Sequence, residues 1–192
     1  MVALMCGGAL AMAAQSWRQS WHIDATRTLI GFTIDATGFP ATRGRFRNYT
    51  GRIAIDLDRL AASSTTFTVD AASVDVGSPV YNDFLKSAAL LDVAKFPTLS
   101  FASTQVEKLD PRTARVTGNL TMRGVTKPIA LDVTIEPGAA ARESVRESAK
   151  RRPIAFSATG TIRRSDFGMT FGLALIDDAI EITVKTRALT DE

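Results

Sequence analysis

Hydrophobic and polar residues alternate with a period of two along most of this chain. In the first clear run, Ile30, Phe32 and Ile34 alternate with Thr33 and Asp35. The pattern returns at residues 45–57, 65–76, 99–103, 116–122, 129–135, 154–159 and 180–187, and a shorter run opens the series at residues 21–24. Alternation of this kind predicts strands with one face in a core and one in solvent. Because closure of a sheet hides its edges, we predict an all-β fold, an antiparallel up-and-down β-barrel of about eight strands.

One short helix is predicted near residues 79–87. Ser78 can cap the free N–H groups of a helix, and Pro79 suits the first helical position because it loses no hydrogen bond there. Val80, Phe84 and Ala88 lie four residues apart and share one face. We expect that face to lie against the sheet or across a mouth of the barrel.

Two stretches predict turns and offer no chemistry. Residues 116–134 read VTGNLTMRGVTKPIALDVT, which is typical of a hairpin that turns at Arg123-Gly124. Asp166-Phe167-Gly168 matches the metal-binding triplet of protein kinases. Without the other kinase motifs, the triplet predicts only a turn after a strand.

The 192 residues suit one domain, which we place at residues 20–190. Residues 1–14, MVALMCGGALAMAA, are apolar but too short to span a bilayer, and they end in small residues that a signal peptidase accepts. We therefore expect a signal peptide at residues 1–14 and export of the mature chain. No Lys or Arg precedes the apolar stretch, so a frayed or buried N-terminal segment stays an alternative.

The side chains that most catalytic and metal sites need are scarce. His22 is the one histidine, which argues against a Ser-His-Asp device and a multi-histidine metal site within one chain. Phosphate-cradling and dinucleotide-binding motifs are absent, and the formal net charge of +3 gives no strong field for nucleic acid. The charged stretch at residues 142–152 interleaves Glu with Lys and Arg and predicts a solvated loop or a short surface helix. We expect no catalytic residue, metal, cofactor or nucleic-acid partner.

Three stretches carry a resemblance to a known family: LKSAALLDVAKFP, VTGNLTMRGVTKPIAL and FSATGTIRRSDFGM. In these the chain resembles the YceI-like family of periplasmic polyisoprenoid-binding proteins. The resemblance implies a lipocalin-like barrel around an elongated apolar ligand, an isoprenoid or a fatty-acid-like amide, and a periplasmic location. Family members often carry histidines where this chain has Ala36 and Phe84, so the resemblance implies that any polar or metal contact made by those histidines is absent here.

The leading hypothesis is a carrier that sequesters one isoprenoid or other long-chain lipid inside the barrel. The residues predicted to line it are Phe32, Phe67, Phe84, Phe101, Leu120, Leu131 and Phe156. The residues predicted by position to meet a head group are Arg43, Arg45, Lys86 and Arg164. Burial of apolar area is favourable at roughly 25 cal/mol per Å² in a filled core and in a lined cavity alike. Alternation therefore leaves both open, and the resemblance favours the cavity.

Two other classes of function stay open. One is an exported accessory partner of a membrane redox system, which an exposed apolar patch would favour. The other is a small-molecule enzyme that uses a carboxylate base in the barrel, against which the missing histidines argue. A transient contact with a membrane and a homodimer also remain open.

Overall fold

The structure is a computed structural model that describes residues 18–23, 27–56, 59–136 and 154–190. Eleven strands and one α-helix are assigned within these ranges: β1 (Arg18–Ile23), β2 (Leu29–Ala36), β3 (Phe39–Phe46), β4 (Tyr49–Asp56), β5 (Ser64–Asp70), β6 (Val74–Asp75), α1 (Pro79–Lys86), β7 (Thr98–Lys108), β8 (Thr113–Met122), β9 (Val125–Ile135), β10 (Ile154–Arg163) and β11 (Ile176–Thr190). The predicted signal peptide at 1–14 and the charged stretch at 142–152 lie outside the described residues. Within the described ranges, no helix has the length and apolar character to cross a bilayer.

The strands form one curled antiparallel sheet in the order β1-β4-β5-β7-β8-β9-β10-β11-β2-β3-β6. The fifteen-residue strand β11 pairs with β10 along one edge and with β2 and then β1 along the other. Three residue pairs, including Trp21 with Thr190, join β1 to β11. The order therefore returns on itself, which confirms the predicted antiparallel barrel.

Eleven strands supply about eight walls because three walls are each made of two strands, and the third of these holds β5 and β6, which pair with β4 and β3. β1 and β2 follow one another along the edge of β11, and β4 and β3 pair with them in turn. The alternation at 45–57 predicted one strand here, but the chain changes partners at Arg47 and Asn48. The Arg47 amide donates to the carbonyl of Ser73, at 3.2 Å, and the Asn48 carbonyl accepts from the amide of Asp70, at 2.9 Å. The prediction of a single strand was wrong, and it also missed the first six of the eight residues of β3.

The two predicted turns are confirmed. Met122 pairs with Val125 across the hairpin of β8 and β9, and both Arg123 and Gly124 have positive φ, at 51° and 73°. Two positive φ angles give the turn a twist that matches the twist of the strands it joins. Residues Arg164–Phe167 form a 3-10 turn directly after β10, and Gly168 ends it at a φ of 75°.

The core lies on the inner face of the barrel, at alternate positions of its strands. Ile30, Val69, Leu99, Met122 and Ile162 are among its buried members. A smaller cluster of Phe101, Val106 and Val116 continues it along β7 and β8. These residues occupy the inner rows that the period-two pattern predicts.

The helix α1 forms where it was predicted, but its packing face differs. Val80 is 76% exposed, and Ala88 lies beyond the end of the helix. Asn82 holds the helix to β6 instead, since its Oδ1 accepts from the Val76 amide at 2.8 Å, and Leu85 packs on the core. The predicted face was wrong because this polar contact, one turn away from Leu85, decides which side faces inward.

Candidate functional site

The inner wall of the barrel carries six of the seven predicted lining residues: Phe32, Phe67, Phe101, Leu120, Leu131 and Phe156. Phe67, Phe101 and Leu120 are directly paired across β5, β7 and β8, so they form one continuous apolar row. Phe101 is buried, at 7% exposure, whereas the other five are half-buried. The half-buried side chains beside Phe101 keep part of their apolar surface accessible. An inner wall of this kind is one that a ligand can contact.

Glycines on neighbouring strands leave room for several of these side chains. A Cβ on Gly44 would overlap the ring of Phe32, and one on Gly118 would overlap the ring of Phe101. A Cβ on Gly160 would lie 2.6 Å from a methyl carbon of Leu131. The missing side chains let each of these groups lie over the adjacent strand. Phe32, Phe101 and Leu131 therefore lie along the inner wall, over the glycines of the neighbouring strands.

Phe84, the seventh predicted lining residue, lies on α1 and not on a wall strand. Its ring meets that of Phe171 edge to face, with 5.2 Å between the centroids. Leu175, in the same loop as Phe171, accepts from the amide of Thr37 beside the β2–β3 turn, at 2.9 Å. These contacts bring α1, the 169–175 loop and the β2–β3 turn to one end of the barrel, which we call the α1 end.

Apolar side chains are unusually exposed at the α1 end. Phe39 in β3 is 72% exposed, and the other exposed members are Val80, Tyr81, Phe84, Phe171, Leu173 and Leu175. Scattered exposed apolar residues are normal on a soluble protein, but clusters of this kind mark contact surfaces. The sequence pattern did not single out this cluster.

Three of the four predicted head-group residues lie on the outside of the barrel. Arg43 and Arg45 are exposed on the outer row of β3, and the Nε of Arg45 lies 3.7 Å from Oδ2 of Asp75. Lys86 ends α1, and its Nζ lies 4.0 Å from Oδ1 of Asp83. The structure therefore brings none of these three to the inner wall.

Asp75 anchors the strand and helix next to Arg45. Hydrogen bonds from the Gly77 amide, from Asn82 and from Arg47 lower the pKa of Asp75 to about 2. The Arg47 contacts measure 3.0 Å from Nε and 2.5 Å from Nη2. This carboxylate therefore ties β3, β6 and α1 together.

Arg164, the fourth predicted head-group residue, is 2% exposed and holds the loop at the α1 end. Its guanidinium donates to four backbone carbonyls, those of Asp177, Met169, Phe171 and Ile176, at 2.7–2.9 Å. Burial lowers the pKa of Arg164, and the charge of Asp178 opposes that shift. With these donors engaged, Arg164 supports the loop and has little capacity left for a ligand.

Lys127 is a candidate that the sequence reasoning missed. It pairs with Leu120 across β8 and β9, and it shares the row of Val125 and Ile129. The alternation Val125, Lys127, Ile129 in the printed sequence was the signal that could have found it.

Comparison with known proteins agrees with this architecture. A family model described as YceI-like domain matches residues 21–188. The chain belongs to the YceI-like family. A UPF0312 protein of Pectobacterium atrosepticum is 30% identical, over 98% of this chain and 93% of its own length. The YceI protein of Campylobacter jejuni superposes with a TM-score of 0.69 at 26% identity, over 98% of this chain and all of the other.

A third similarity comes from a polyisoprenoid binding domain of Saccharophagus degradans. It superposes with a TM-score of 0.64 at 17% identity, over 89% of this chain and 98% of that one. At this identity the likeness shows a shared fold. The YceI-like barrel is thus common to all these proteins.

Ala36 and Phe84 are the two positions at which the resemblance predicts histidine. Ala36 stands near the end of β2, paired with Phe39, and Phe84 stands at the exposed surface of α1. Neither side chain can ligate a metal or donate a hydrogen bond. Across the described ranges, no three His, Cys, Asp or Glu side chains group as metal ligands do.

Proposed function

We propose that this YceI-like protein is an exported carrier that sequesters one elongated apolar ligand, a polyisoprenoid or a fatty-acid-like lipid, inside its barrel. The observation that carries the proposal is the inner row of Phe67, Phe101 and Leu120, in which half-buried side chains adjoin a buried one. The polyisoprenoid binding domain with the same fold supports the choice of ligand.

The affinity of such a carrier comes chiefly from apolar area. Each buried methylene of a lipid contributes about 0.8 kcal/mol, so a chain of ten or more carbons gains enough to bind without many polar contacts. The inner wall offers rings and branched aliphatic side chains over most of its height. We propose that the ligand's chain lies along these rows.

The α1 end is the proposed route for the lipid. The apolar side chains exposed there suit a transient contact with a membrane, from which a lipid can pass into the barrel. The same exposed cluster is the observation that favours the second candidate function, an exported accessory partner of a membrane redox system. An empty barrel with an intact α1 end would favour that candidate.

Export to the periplasm is part of the proposal. It is supported by the apolar residues 1–14 and by the resemblance to periplasmic proteins. The N-terminal sequence of the protein isolated from its own cell tests it. A mature chain that begins after the predicted signal peptide at residues 1–14 is expected, and a chain that still begins at Met1 would contradict cleavage.

The carrier function is tested by mass spectrometry of organic extracts from protein purified without detergent. We expect a co-purifying long-chain lipid. Protein that contains no lipid and also fails to bind added isoprenoids would refute the proposal.

A matched pair of variants locates the ligand. In Phe156→Trp a larger ring enters the inner row, whereas Ser157→Trp places the same ring on the opposite face of β10. The first variant should lose lipid binding and the second should keep it, with circular dichroism showing that both are folded. Equal binding by both would remove Phe156 from the lining.

A further inference from the structure

Lys127 is a charged residue on an otherwise apolar inner row. Val125 and Ile129 lie two positions away on either side along β9, and Leu120 lies directly across on β8. All three of these neighbours pack against the main core cluster. Because side chains two residues apart on a strand share a face, Lys127 belongs to the face that lines the barrel.

The ammonium group of Lys127 has no partner of its own. Among the residues that the structure describes, the side chain of Lys127 takes part in no hydrogen bond or ion pair, and it is exposed. Two other cations near the α1 end, Arg164 and Arg123, already donate hydrogen bonds to backbone carbonyls. Arg164 donates to four carbonyls, and Arg123 donates to the carbonyls of Ala88 and Leu90.

Lys127 also lies near the end at which we place lipid access. It follows the Arg123-Gly124 turn by three residues, and Arg123 binds the loop that follows α1. A lipid that enters chain first from this end keeps its head group close to the mouth. The position of Lys127 therefore matches the position of a head group.

We propose that Lys127 binds the anionic head group of the apolar ligand, so that the preferred ligand is a long chain ending in a phosphate or a carboxylate. This inference rests on the proposed carrier function. The four-carbon stem of lysine lies along apolar surface while its ammonium group, a compact cation with three donors, meets the anion. Charge-assisted hydrogen bonds of this kind are short and strong.

The test compares ligands that differ only in their ends. Binding of geranylgeraniol and geranylgeranyl monophosphate is measured by titration calorimetry, and hexadecanol and hexadecanoate form a second pair that separates a phosphate from a carboxylate. The variants are Lys127→Met, which keeps the length and apolar character of the stem, and Lys127→Arg, which keeps the charge. Lys108→Met is the matched control, because Lys108 is also exposed and pairs with Ala114 on the inner face near the opposite end of the barrel.

The wild-type protein should bind an anionic ligand roughly tenfold or more tightly than its alcohol. Lys127→Met should remove that preference without weakening the binding of the alcohol. Lys127→Arg should retain the preference, and Lys108→Met should leave it unchanged. If Lys127→Met keeps the preference, or if Lys108→Met loses it instead, the inference is overturned while the carrier function stands. If the wild type binds none of the four ligands, the carrier function fails and the inference fails with it.

Discussion

Replacing Gly44 by alanine tests whether the packing of the Phe32 ring over this glycine contributes to the stability of the barrel. The new Cβ would overlap the ring of Phe32, so the ring must leave its place over β3. Forcing extra atoms into a packed site costs about 1–3 kcal/mol, whereas alanine is better than glycine in a strand by about 0.5–1 kcal/mol. The expected net loss of stability is about 1–2 kcal/mol, which lowers the melting temperature by roughly 2–8 °C for a chain of this size.

The neighbouring strand supplies a matched control. Gly31 also lies in the β2–β3 pair, but a Cβ there would come no closer than 3.4 Å, to the carbonyl oxygen of Gly44. Gly31→Ala should therefore cause no loss of stability and should gain up to about 0.5–1 kcal/mol. Urea unfolding followed by circular dichroism measures both variants.

A double-mutant cycle identifies the ring as the cause. Phe32→Leu removes the ring atoms that a Cβ on Gly44 would meet. In that background Gly44→Ala should become neutral or stabilising, which gives a coupling energy of about 1–3 kcal/mol. Equal losses in Gly44→Ala and Gly31→Ala, or a loss that persists in the Phe32→Leu background, would refute the reasoning.

Three further predictions concern the α1 end and its supports. Arg164→Met leaves buried carbonyls without donors and should lower the free energy of unfolding in urea by about 2–4 kcal/mol. Arg163→Met, at the exposed neighbour, should lower it little. Equal losses in the two variants would contradict the role of Arg164 in supporting the loop. Asp75 has a pKa lowered to about 2, so its ionic contribution is complete above about pH 4 and is lost as the pH falls through 2. The difference in melting temperature between wild type and Asp75→Asn should therefore shrink over that interval, and a constant difference would count against the anchor. Phe171→Ser should slow lipid uptake from phosphatidylcholine vesicles several-fold. Leu109→Ser is the control, because Leu109 is an exposed apolar residue outside the α1 end. Unchanged uptake by Phe171→Ser would show that the lipid does not enter at the α1 end.

The fold was largely predictable because it rests on local pattern. Strands β2, β5, β8 and β9 follow the alternation closely, and the turn at Arg123-Gly124 has the residue types its backbone needs. The alternation did not predict that the chain changes its partner strands at Arg47 and Asn48. The alternation continues through it, so only the surrounding strands reveal that one run serves two pairings.

The candidate site was predictable in its apolar part and not in its polar part. The lining residues follow from period two, and six of seven lie on the inner wall. Charged residues are harder, because a cation's role depends on what already binds it. Arg164 is buried by carbonyls of a loop that alternation does not describe, whereas Lys127 was passed over although its spacing from Val125 placed it on the inner row.

The pairing of Phe32 with Gly44 and of Phe101 with Gly118 has a consequence for how such barrels diversify. Because the side-chain period of a strand is two, a large side chain and its glycine can move together by two residues along neighbouring strands without changing the register. Each such move redistributes volume between one level of the barrel and the next. Relatives with one backbone can thus acquire interiors of different depth through paired substitutions, and carriers for longer and shorter chains need no rebuilt sheet.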